Sequence, residues 1–132
     1  MSHVLTSSAI AILWVHGLVH LMGAVVYMRL GSIEGLPYKT VLAGRWDVGA
    51  AGVAVFGLLW AVAAAGFVVA GGALAAGAEW WRPMTFAAAS LSLVLAVVDW
   101  SVAFVAVGVD IAVIVFVLAS TMPMWSQLIG HR

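Results

Sequence analysis

The stretch that most restricts what this chain can become is Val4 to Met28, an apolar run without a single Lys, Arg, Asp or Glu that nevertheless carries two histidines, His16 and His20. As a helix it is long enough to cross a bilayer, whose hydrocarbon core needs about 20 apolar residues. Ionisable rings at that depth are costly and call for partners. Four residues apart, His16 and His20 share one helix face, and the small Gly17 and Gly23 beside them let a neighbouring helix come close. The run is too long for a signal-peptide core and lacks a basic lead-in and a small-residue cleavage pattern, so it reads as a retained helix.

The rest of the chain agrees with a membrane setting. Of its 132 residues 66% are hydrophobic and only 8% charged, and the mean hydropathy is +1.21. A soluble domain is about half apolar and a quarter charged, so this is an integral membrane protein, expected in the inner cell membrane as a multi-pass chain. Five basic residues balance five acidic ones, which gives no footprint for nucleic acid. The lack of cysteine removes disulfides, thiolate metal sites, iron–sulfur clusters and cysteine nucleophiles.

Four apolar segments follow one another. The first ends at Arg29 and a polar loop that carries Glu34, Pro37, Tyr38 and Lys39. The second begins near Trp46–Asp47, with Asp47 placed to favour the helix dipole, and fades at Gly71–Gly72; Ala50/Ala54 and Ala61/Ala65 are small-residue pairs suited to close packing. Residues 83–98, between Arg82 and Asp99, span only about 24 Å as a helix, short of a core of about 30 Å. The third crossing therefore absorbs Asp99 or is unusually short. Placing the last turn at Gly108 leaves two crossings of sensible length and puts Asp110 in the first turn of the fourth. The expectation is an all-α, four-transmembrane-helix up-down-up-down bundle, with helices about 4–28, 46–72, 84–105 and 109–127 in one transmembrane domain, since lipid admits only helices and closed barrels and period-two alternation is absent. Trp46, Trp80, Trp81 and Trp125 fall at helix ends as interfacial anchors, with Trp14 and Trp60 deeper in packing roles. Arg29, Lys39 and Arg45 outnumber Arg82 and Arg132 across the bilayer, which places the first loop in the cytoplasm and both termini outside.

That topology gathers His20, Arg45, Asp47, Asp99 and Asp110 toward the first-loop side, with His16 at the deep end of a polar pocket and Tyr27, Glu34, Tyr38 and Lys39 near its mouth. Thr85, Ser92 and Asp99 recur at heptad spacing and form one stripe on the third helix, expected to face the histidines, with His20 coupled to Asp99. Such a pocket can bind or move a proton, a cation or a small polar ligand. The competing reading is polar glue in an accessory subunit of a larger membrane complex or in a homo-oligomer. A metal held by His16, His20 and a carboxylate is a sharper alternative. Haem is disfavoured, because one face of one helix cannot ligate both faces of a haem and the other histidines, His3 and His131, lie at the termini. An enzyme has the least support: there is no phosphate-cradling loop or Gly-x-Ser-x-Gly elbow, and nothing marks Asp47 and Asp99 as a catalytic pair.

At His16-Gly17-Leu18-Val19-His20-Leu21-Met22-Gly23 the chain resembles a group of small bacterial four-helix membrane proteins with His-Gly-x-x-His-x-x-Gly in the first helix. Pro37 in the first loop, Gly57-Leu58-Leu59-Trp60 in the second helix, Trp80-Trp81 in the second loop and Asp99-Trp100-Ser101 as a polar end to the third helix fit the same pattern. The resemblance implies a four-helix fold and a membrane location, and carries no activity with it.

Overall fold

The structure is a computed structural model that describes residues 3–122. Its helices are α1 (His3–Tyr27), α2 (Gly49–Ala75), α3 (Trp81–Val98) and α4 (Trp100–Ser120), with two short strands, β1 (Val41–Leu42) and β2 (Trp46–Asp47), between α1 and α2. All four helices are long and apolar enough to cross a membrane. The protein is an all-α four-helix bundle of membrane-spanning type.

Packing runs in sequence order, α1 on α2, α2 on α3 and α3 on α4, with no comparable contact between α1 and α4. Glycine sets the first of these interfaces. A Cβ on Gly23 would lie 2.9 Å from Trp60 Cγ, and one on Gly17 would lie 3.0 Å from the Ala64 carbonyl. From the α2 side, Gly71 leaves room for Trp14, whose Nε1 donates to the Val68 carbonyl at 3.1 Å. Two apolar clusters fill the bundle. Tyr27, Phe56, Trp60 and Leu95 belong to one, and Leu13, Phe67, Trp81 and Val113 to the other.

Several expected boundaries and packing positions move. Helix α2 does not fade at Gly71–Gly72. It continues to Ala75 and stops where Gly77 takes φ +69°, with Ala78 N–H returning to the Ala73 carbonyl at 2.9 Å, the usual glycine exit from a helix. The alanines that α2 buries are Ala63, Ala64, Ala70 and Ala73, not the Ala50/Ala54 and Ala61/Ala65 pairs. Trp46 and Trp80 are exposed as anchors should be, but Trp81 is buried, packed near Phe116. Trp125 and the expected end of the last helix at 127 lie outside the described residues.

The largest correction concerns the last turn. It is made by Asp99 alone, and Gly108 is an interior residue of α4 whose Cβ position meets nothing within 4 Å. The short third crossing is therefore real: α3 has 18 residues, about 27 Å of helix. Helix α4 then has room to start at Trp100 and carries Asp110 in its middle rather than its first turn.

The first loop also folds. β1 and β2 pair antiparallel, Val41 opposite Asp47 and Leu42 opposite Trp46. Their tip turns through Ala43 (φ +52°) and Gly44 (φ +65°), and Ala43 N–H caps the Val98 carbonyl at the end of α3 at 3.0 Å. Leu42 is buried, Ile33 and Leu36 pack on the first apolar cluster, and Arg29 lies 4.4 Å over the Tyr38 ring.

Two predictions follow from this geometry. Single cysteines at Ser32, Ala76 and Thr121 should react with an impermeant thiol reagent with Ala76 and Thr121 on one side of the membrane and Ser32 on the other; matching accessibility of Ser32 and Ala76 would contradict the crossing of α2. Gly23→Val should lower thermal stability in detergent by an overpacking cost of about 1–3 kcal/mol, whereas Gly72→Val, where no atom lies within 4 Å of the Cβ position, should cost clearly less in the same melting experiment.

Candidate functional site

The heptad that joins Ser92 to Asp99 on α3 separates two polar layers by about 10 Å along the bundle axis. The deeper layer lies between the apolar clusters at the middle of α1 and α4. His16 Nε2 meets Asp110 Oδ1 at 2.8 Å, and Ser92 Oγ meets Asp110 Oδ2 at 2.5 Å. Ser92 Oγ also bonds to His20 Nε2. The chain is closed by His20 Nδ1, which donates to the His16 carbonyl at 2.7 Å. All four residues are buried, with Ser92 and Asp110 at 0% exposure. Aromatic edges hold the imidazoles from the α2 side: Phe67 lies 4.8 Å from His16 and Trp60 5.0 Å from His20.

Hydrogen-bond bookkeeping fixes the charge of this layer. Because His20 Nδ1 must donate to a carbonyl, a neutral His20 has no proton on Nε2. The three links from His16 to Asp110, Asp110 to Ser92 and Ser92 to His20 need one proton each. An ionised carboxylate, one hydroxyl and two neutral imidazoles supply two. A further proton, on His20 Nε2 or on Asp110 Oδ2, completes the chain and cancels the carboxylate charge. A neutral, fully bonded cluster is the arrangement that a lipid-embedded interior tolerates. In either form Oδ1 accepts from His16 Nε2–H, which leaves His16 Nδ1 as a lone pair.

The second layer sits at the first-loop end. Tyr27 donates its hydroxyl to Asp99 Oδ2, and Lys39 Nζ pairs with Asp99 Oδ1, an ionic contact rather than a directional hydrogen bond. Lys39 also donates to Ser101 Oγ at 3.1 Å. Asp99 is 2% exposed, so Lys39, reaching in from the loop, supplies the opposite charge that a buried carboxylate requires.

A cavity of about 650 Å³ opens between α1 and α4. His16, His20 and Trp60 lie on its inner wall, Asp99 and Glu34 toward the first-loop end, and valines, alanines and Met22 on its sides.

The expected site residues divide accordingly. His16, His20 and Asp110 come together, and their ligand atoms all lie within 4.8 Å of one another. Asp99 does not couple to His20. The heptad stripe faces α1 as expected, but Ser92 takes the histidine and Asp99 takes Tyr27 and Lys39, because each pair lies level along the bundle. Arg45 and Asp47 stay outside: both are exposed on the hairpin, and Asp47 Oδ1 accepts from Gly49 N–H at 3.0 Å as a turn-forming side chain. Among the partners, Ser92 was signalled by the stripe, and Tyr27 and Lys39 were expected at the pocket's mouth, but their pairing with Asp99 was not signalled, because loop folding rather than helix period brings Lys39 there. No family model matches the chain, and no characterised protein or solved structure shows significant similarity to it.

The pairing is measurable. His16→Ala and Asp110→Ala should each lower the melting temperature in detergent, and the double variant should cost less than the sum by roughly 0.5–3 kcal/mol. His20→Ala with Asp99→Ala should be additive within about 0.5 kcal/mol. Strong coupling of the second pair would contradict the two-layer arrangement.

Proposed function

We propose that the protein is a membrane-embedded cation site, in which His16, His20 and Asp110 hold a proton or, in exchange for it, a divalent transition-metal ion of the zinc class. The observation that carries this reading is the convergence of two imidazoles and one carboxylate within 4.8 Å, the imidazoles lining a cavity that reaches from the first-loop side toward the middle of the bundle and Asp110 buried behind them. Zinc binds imidazole nitrogen and carboxylate oxygen at about 2.0–2.2 Å, which puts neighbouring ligands of a tetrahedral ion about 3.3 Å apart. Holding an ion there requires the ligand atoms to close in from separations of up to 4.8 Å, with Ser92 turning aside, and leaves a fourth position for water. The ion must displace the shared proton, so binding and proton release are linked.

With Asp99 paired to Lys39, Glu34 is the acidic side chain at the first-loop end of the cavity, in keeping with a cation as the arriving species. Movement of that cation across the membrane, and the inner cell membrane as its place, belong to the same proposal. The runner-up is an accessory subunit whose buried cluster only fixes helix packing. It predicts the same coupling between His16 and Asp110 but no bound ion.

Chelator-treated protein in detergent, titrated calorimetrically with Zn2+ in buffers of different ionisation enthalpy, should bind about one ion per chain with release of about one proton. His16→Ala, His20→Ala and Asp110→Asn should each weaken binding by about tenfold or more, as loss of a metal ligand does at least as severely as loss of its supporting partner. Wild-type protein that takes up no ion, or variants that bind as well as wild type, would transfer the cluster to the accessory-subunit reading.

A further inference from the structure

The cavity between α1 and α4 is more than a route to the cation site, because its side wall is missing. Its lining includes Val15, Val19 and Val105, which are 61%, 50% and 64% exposed and lie well within helices of membrane-spanning length and composition. At that depth exposure means exposure to lipid, so the cleft opens sideways into the bilayer. Its volume, about 650 Å³, is in the range of cavities that hold a small organic molecule, and an apolar wall with few convergent polar groups is the usual form of such a site.

One polar group on the inner wall is unused. His16 is 8% exposed and lines the cleft; its Nε2 is committed to Asp110, and its Nδ1 has no hydrogen-bond partner among the described residues. It is not among the sealed, unpartnered polar atoms, as Trp60 Nε1 is. With the proton on Nε2, Nδ1 presents a lone pair and asks for a donor. A charged donor would have to shed its hydration in the middle of the bilayer, whereas a hydroxyl on an otherwise apolar molecule would not.

We infer that in the metal-free protein the α1–α4 cleft binds a lipid-phase alcohol, an uncharged amphiphile that enters between the helices from the bilayer, donates a hydrogen bond from its hydroxyl to His16 Nδ1 and leaves its hydrocarbon along Val19 and Ala106. This goes beyond the cation reading and has a separate readout. It also accounts for why α1 and α4 are held apart beside a satisfied polar cluster rather than closed by larger side chains at Ala103 and Ala106.

The test compares diazirine-bearing hexadecanol with its methyl ether, two probes of nearly equal apolarity of which only the alcohol has a donor. In chelator-treated wild-type protein in lipid nanodiscs, light should attach the alcohol to peptides containing Val19 and Val105. Excess unlabelled hexadecanol should remove that label, and the ether should label about fivefold less, the worth of one hydrogen bond. Ala106→Trp, which fills the cleft one helical turn from Asp110, should abolish labelling by the alcohol. Equal labelling by alcohol and ether, labelling that survives Ala106→Trp, or no labelling of the cleft because a second copy or another helix covers it would each overturn the proposal. Zinc titration of the same preparations reads the cation site independently, so intact zinc binding with failed alcohol selectivity removes this inference alone.

Discussion

A carboxyl group in the middle of a lipid-facing helix must be bonded on every side, and the rest of this bundle follows from how Asp110 meets that demand. Its two oxygens take His16 from α1 and Ser92 from α3, and Ser92 passes the chain on to His20. Removing one member of such a buried network strands the others without a partner, at a cost well above the net worth of any single bond. The same network joins α1 to two helices that it does not pack against in sequence order. Polar bonds thus supply across the bundle what apolar contact supplies along it.

The close α1–α2 interface makes this reach feasible. His16 and His20 project past α2 toward α3 and α4 because Gly17 and Gly23 let the α2 backbone and the Trp60 ring approach the same stretch of α1. A side chain at either glycine would push α2 outward and draw the aromatic edges of Phe67 and Trp60 away from the imidazoles. The motif His16-Gly17-x-x-His20-x-x-Gly23 therefore encodes two jobs on one helix, polar reach on one face and close approach beside it.

Much of this was legible in the sequence, and the limits have physical reasons. Four crossings follow from hydropathy, because lipid leaves no alternative for such long uncharged segments. The buried stripe Thr85, Ser92, Asp99 follows from helix period and all three are buried. What periodicity cannot give is axial level: His20 at the height of Ser92 instead of Asp99 depends on where α3 stops and on how loop one caps it. The turn was misplaced at Gly108 because glycine is the common breaker and Asp99 a costly residue to bury. The Asp99 carboxyl is stabilised by Tyr27 and by Lys39, and Lys39 arrives through the hairpin whose Ala43 N–H caps Val98. Arg45 and Asp47 looked like pocket residues because they stand next to a helix start, yet two residues of strand turn them to the outside.

The length of α3 links the two layers. With 18 residues it is the shortest crossing among the described residues, and by ending at Asp99 it sets the first-loop boundary of the α3–α4 hairpin. From that fixed turn, Asp110 lies eleven residues along α4 and Ser92 seven back along α3, offset by about one helical turn that the two side chains bridge. Had the hairpin turned at Gly108, Asp110 would lie near the membrane surface, where water could solvate it and histidines would not be required. The short third helix is thus the reason that the deep layer exists: it places a carboxylate at the depth of His16, and the histidines of α1 are what make that position tolerable.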